Sequence, residues 1–110
     1  MVERILPDLY RIEIPLPKNP LKSVNSYLIK GDGEFLIIDT GMNLEECRRQ
    51  MFYDLERLDV DLKKTNFFIT HLHADHLGLV ADLATETSMV YFNQKEASMF
   101  SESLERYWQE

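Results

Sequence analysis

Cysteine, histidine and long apolar runs are all scarce in this sequence, and basic clusters are missing. Cys47 is the sole cysteine, which excludes a disulfide framework and a cysteine-rich metal cluster and makes a reducing cytoplasm the default setting. Arg48-Arg49 and Lys63-Lys64 each sit among acidic or apolar residues, and the formal charge of −7 would repel a phosphate backbone, so nucleic acid is not an expected partner. No apolar run is long enough to span a bilayer, and Met1 to Asp8 lacks the apolar core of a signal peptide. A cytoplasmic protein without membrane association is expected. Internal repeats, low-complexity segments and flexible linkers are also missing.

The 110 residues are 45% hydrophobic and 28% charged, the balance of a soluble globular chain. That length fits one small domain, or part of one, with a modest core. Tyr10, Ile12, Ile14 and Leu16 alternate with Arg11 and Glu13, the period of a strand with one buried face, closed by Pro15 and Pro17. Val24 to Ile29 and Phe35 to Ile38 flank Lys30-Gly31-Asp32-Gly33-Glu34, where two glycines are expected to supply the positive φ angles of a tight antiparallel hairpin.

Asn43 and Glu46 have the spacing of a reciprocal helix cap, and Leu44, Cys47, Met51, Leu55 and Leu58 then recur along one helical face. Cys47 on that stripe reads as a small core residue rather than a nucleophile or ligand. After a polar connector, Phe67-Phe68-Ile69 has the character of a strand buried on both faces, reached by a helical crossover. Gly78 to Leu83 reads as a short helix and Met89 to Phe92 as another strand. Asn93 with Glu96 repeats the capping spacing before a last helix, whose stripe is Ala97, Phe100, Leu104 and Trp108.

All three histidines lie within His71-Leu72-His73-Ala74-Asp75-His76, directly after the apolar strand. Three scattered histidines would crowd this closely in roughly one chain in two hundred. In extended backbone, residues i and i+2 project to the same side, so His71 and His73 can serve one ion together. A turn toward the helix opened by Gly78 would let Asp75 and His76 swing toward a second, and two adjacent metals fit this ligand count better than one. Imidazole and carboxylate donors suit zinc, and also iron or manganese; without cysteine ligands the site reads as open and catalytic rather than structural. A metal pair of this kind serves hydrolysis without a nucleophilic side chain. The competing reading is a polar loop whose histidines bind nothing.

Thr70-His71-Leu72-His73-Ala74-Asp75-His76-Leu77-Gly78 resembles the signature of the metallo-β-lactamase-fold hydrolases. Asn25-Ser26-Tyr27-Leu28-Ile29 and Ile37-Ile38-Asp39-Thr40-Gly41 resemble that family's early strands. The resemblance implies an α/β fold: a four-layer αβ/βα sandwich built from two similar halves, with mixed sheets and flanking helices, of which residues 1–110 would form the first half. It also implies that His71 and His73 serve one metal, that Asp75 and His76 serve the other, and that Asp39 lies beneath the site as a supporting carboxylate. For Asp39 the alternative is a strand-end aspartate forming a local turn with Thr40 and Gly41.

One departure from the family pattern is an omission. A third histidine for the first metal, a bridging aspartate and a last histidine should follow, yet no histidine occurs after His76. The last aspartate, Asp82, stands too near along the chain to be the bridge. The expectation is therefore the N-terminal part of a binuclear zinc hydrolase of a small ester, thioester or lactone. Asp75 would also position the attacking water, and the chain alone would hold metal weakly and catalyse little. The alternatives are a non-catalytic metal-binding or dimerisation module and a nuclease of the same superfamily. The expected partner is a small-molecule substrate; the alternative to a fragment of a longer hydrolase is a homodimer, two copies pairing through an exposed sheet edge or the C-terminal helix.

Overall fold

The computed structural model of the chain describes residues 2–15, 23–70 and 78–92. One mixed sheet of six strands organises them, in the order β1-β2-β3-β4-β5-β6, so each strand lies beside its predecessor in sequence. The strands are β1 (Val2–Leu6), β2 (Leu9–Pro15), β3 (Ser23–Lys30), β4 (Phe35–Ile38), β5 (Thr65–Ile69) and β6 (Val90–Phe92). The first four pair antiparallel, and β5 and β6 are then added parallel to β4. Parallel neighbours need crossovers. These are α1 (Glu45–Arg57) with a 3₁₀ turn at Leu62–Lys64, and the short α2 (Val80–Leu83).

Alternation along the strands creates two faces. Ile12, Ile14, Val24, Leu28, Ile37 and Phe67 point to the one that α1 and α2 cover, where they meet Cys47, Met51, Leu55, Leu79 and Leu83 in a single cluster. Burying a side chain of the size of Met51 or Leu55 contributes about 1.5–3 kcal/mol. On the opposite face the pairing aligns Arg11, Tyr27, Ile38, Phe68 and Tyr91 in a row across five strands.

Four expectations are corrected here. The chain has an additional strand, β1, ahead of the first one expected; it is an exposed edge, joined to β2 partly by an ion pair of Arg11 with Glu3 at 2.7 Å. In the β3–β4 hairpin only Gly33 has a positive φ, 78°, while Gly31 closes the turn by donating its N–H to the Glu34 carbonyl at 2.7 Å. Asn43 does not cap α1. The Leu44 amide is taken by the Met42 carbonyl, which makes Leu44 the capping residue and leaves Asn43 one position too early, accepting instead from Arg48 at 3.4 Å. Phe67 and Ile69 are buried as expected, but Phe68 is 38% exposed, because among the described residues the helices cover the other side of the sheet. The expected last helix and its stripe Ala97, Phe100, Leu104 and Trp108 lie outside the described residues. Among the described residues no helix is long and apolar enough to cross a membrane.

Two core contacts carry testable consequences. A Cβ on Gly41 would stand 2.8 Å from Cγ2 of the fully buried Ile14, so Gly41→Ala is expected to destabilise by about 1–3 kcal/mol, read as a lower urea midpoint at unchanged slope. Cys47 is buried, its thiol donates to the Pro15 carbonyl at 2.9 Å, and burial raises its pKa. A thiol-specific reagent is therefore expected to label Cys47 only at the rate at which the fold opens, and rapid labelling under native conditions would contradict this packing.

Candidate metal centre

Parallel strands bring their carboxyl ends together, and in open α/β sheets those ends are where ligands bind. Ile38 at the end of β4 lies opposite Phe68 of β5. One residue further, the Asp39 amide donates to the Phe68 carbonyl at 2.9 Å, extending the ladder by a step. Asp39 then turns out of the strand with φ of 61°, the left-handed region that aspartate tolerates better than most residues. Its carbonyl accepts from the buried hydroxyl of Ser26 at 2.7 Å, so β3 and β5 together fix this turn.

The Asp39 carboxylate crosses to the residue after β5. Its Oδ1 accepts from the Thr70 amide at 2.8 Å and its Oδ2 from the Thr70 hydroxyl at 2.6 Å. Both distances suit charge-assisted bonds, and with Asp39 only 7% exposed they act in a poorly solvated place. A local turn closed on Thr40 and Gly41 does not describe these bonds, which span 31 residues of sequence. Thr40, fully buried beside it, uses its hydroxyl oxygen to accept from the Leu79 amide at 3.2 Å.

His71 follows Thr70 directly, and Gly78 precedes Leu79. The expected ligands His71, His73, Asp75 and His76 lie between these two anchored residues and outside the described residues. Among the described residues no group of three or more His, Cys, Asp or Glu side chains could hold a metal ion. Asp82, already discounted as a bridge, stands in α2 with its carboxylate 3.7 Å from Arg48 of α1. Cys47 is turned to a backbone carbonyl in the core, so the donor set available in sequence is imidazole and carboxylate. A cleft of about 360 Å³ lined by Gly33, Glu34, Lys63, Lys64, Asn66 and Thr87 opens at the other, amino end of the parallel strands.

Residues 19–109 match the model of the metallo-beta-lactamase superfamily. The chain belongs to that superfamily. Among solved structures, a metallo-beta-lactamase family protein from Thermus thermophilus is 34% identical and superposes with a TM-score of 0.66, over 74% of this chain and 28% of its own. The probable metallo-hydrolase YqjP of Bacillus subtilis is 32% identical over 100 residues, and an atrochrysone carboxyl ACP thioesterase of Emericella nidulans is 33% identical over 82. These alignments take in 84% and 74% of this chain but a minor part of each relative: the chain spans 31% of the Bacillus protein and 25% of the Emericella one. The mixed sheet with its flanking helices is the α/β arrangement of this superfamily.

Ser26, Thr40 and Thr70 were not singled out by sequence reasoning. Ser26 did carry a signal, since it shares the buried parity of Val24 and Leu28, and a buried hydroxyl needs a partner. Replacing Asp39 with Ala would take the shared acceptor from two donors of Thr70 and place a Cβ-bearing residue without a polar side chain at positive φ. Asp39→Ala is expected to cost about 2–4 kcal/mol, and Asp39→Asn, which keeps one acceptor and tolerates the turn, about half of that, both measured by chemical denaturation.

Proposed function

We propose that this chain contributes the first part of a metal-dependent hydrolase acting on a small ester, thioester or lactone. The carrying observation is that His71-Leu72-His73-Ala74-Asp75-His76 starts one residue beyond Thr70, which Asp39 holds at the carboxyl ends of β4 and β5. Three imidazoles and a carboxylate within six residues make a donor set suited to zinc, with iron or manganese as alternatives. In this reading His71 and His73 hold one ion, Asp75 and His76 hold a second, and further ligands come from residues beyond this chain. Zinc held by these residues would supply Lewis acidity and lower the pKa of a water toward neutrality. Asp75 orients the attacking water and accepts its proton, while Asp39 restrains the strand end from which the ligands start.

A thioester is the favoured substrate class, on the strength of the thioesterase named among the relatives. Water adds to the acyl carbon, the carbon–sulfur bond breaks, and the departing thiolate takes up a proton. The acidic balance of the chain counts against nuclease action. A non-catalytic metal-binding or dimerisation module is the second reading, favoured by the apolar residues Ile38, Phe68 and Tyr91 on the sheet face that the described helices do not cover, two of them 38% and 48% exposed.

Metal analysis and turnover of generic ester and thioester substrates separate the two. The polypeptide of the complete reading frame that contains these residues is expected to hold zinc and to hydrolyse a thioester, and to lose both when His71 or His73 becomes Ala. The 110-residue chain by itself is expected to bind zinc weakly with little turnover. Absence of metal from both polypeptides, or turnover indifferent to His71→Ala, would overturn the hydrolase reading.

A further inference from the structure

Asp39 and Thr40 are neighbours in sequence, yet they hold two points of the chain that lie on either side of the histidine motif. Asp39 takes both donors of Thr70, one residue before His71, and Thr40 takes the amide of Leu79, two residues after Leu77. Consecutive Cα atoms are about 3.8 Å apart, so the two anchors are set side by side on one short piece of backbone. That piece is itself held by its neighbours: the Asp39 amide on Phe68 and the Asp39 carbonyl under Ser26.

We propose that Thr40 is a positioning residue for the histidine motif, pinning its downstream end as Asp39 pins its upstream end. The proposal rests on the hydrolase reading for the identity of the ligands, and on described residues for the anchors. Three observations single out Thr40. Its side chain is fully buried, so its hydroxyl oxygen is not shared with bulk water. Leu79 caps α2 without using its own side chain, and its amide is among the donors that a helix start leaves without an intrahelical partner. The Leu79 side chain is fully buried in the core, so the residue whose amide Thr40 receives is itself fixed by packing.

The physical effect is pre-organisation. A metal whose ligands come from a segment with free ends must order that segment as it binds, whereas a segment closed between adjacent anchors has lost much of that freedom already. Groups hydrogen-bonded directly to metal ligands typically account for a roughly 10- to 100-fold change in metal affinity, and an anchor acting through the backbone is expected at or below the lower end of that range. Asp39 and Thr40 would act on one segment from its two sides in sequence, so their substitutions should be coupled rather than independent.

The test uses the complete-reading-frame polypeptide and Zn²⁺ alone as probe, with Thr40→Val, which keeps shape and removes the acceptor, and Thr40→Ser, which keeps the hydroxyl. Two quantities are read: hydrogen exchange of the Leu79 amide in the metal-free protein, and Zn²⁺ affinity by chelator competition well below the unfolding midpoint. Thr40→Val is expected to speed exchange at Leu79 and to weaken Zn²⁺ binding by up to about 10-fold, with Thr40→Ser restoring both. Faster exchange with unchanged Zn²⁺ affinity would reduce Thr40 to a structural contact and overturn the proposal, as would unchanged exchange in Thr40→Val. Should Thr40→Val fail to fold, Thr40→Ala removes the same acceptor without added bulk and is read in the same way. Failure of the unsubstituted protein to bind Zn²⁺ would sink the hydrolase reading itself and this proposal with it, whereas loss of the Thr40 effect alone leaves that reading standing.

Discussion

The paired hydrogen bonds between the Asp39 carboxylate and Thr70 hold together the part of the molecule on which everything else turns. A carboxylate taken this far out of water is tolerated where strong donors meet it, and Thr70 offers an amide and a hydroxyl from the same residue. The bonds fasten the ends of β4 and β5 at the place where the sequence turns from apolar strand to histidines. Remove them and the sheet keeps its helical cover, but the start of the motif is no longer referred to that fixed point.

Around that contact the chain combines two kinds of packing. Ile12, Ile14, Leu28, Ile37 and Phe67 meet the helices through apolar contact, which tolerates small adjustments. Ser26, Asp39, Thr40 and Thr70 instead form directional contacts that admit few geometries. Stability comes mostly from the first group and placement from the second. Gly41 joins them: it lies against Ile14 and Leu79 at once, so the residue following the two anchors is also the point where the core touches them.

The legible parts of the fold were those with a local cause. Alternation revealed β2, the glycine-bearing turn revealed the β3–β4 hairpin, and the spacing of Cys47, Met51 and Leu55 revealed the buried stripe of α1. β1 escaped because its residues are mostly exposed and its reason for being a strand is the neighbouring β2. The start of α1 escaped because a turn at Met42–Leu44 moved the helix past Asn43, and no property of Asn43 itself announces that. Phe68 looked like a residue enclosed on both sides because hydrophobicity records what a side chain prefers, not which layer lies beside it. At the candidate site, Asp39 and the histidine motif stood out by type and spacing. The roles of Ser26, Thr40 and Thr70 depend on contacts between residues up to 39 positions apart, which no window along the sequence contains.

The agreement between sheet order and sequence order also bears on how the molecule assembles. Each strand finds its neighbour already made, so the antiparallel ribbon β1–β4 can form from short-range pairings that need neither α1 nor β5. β5 must wait for a helical crossover, and Thr70 is made 31 residues after the carboxylate that receives it. Thr70, which leads into the histidine motif, is thus docked onto strands that precede it in the chain, so the order of assembly follows the order of sequence.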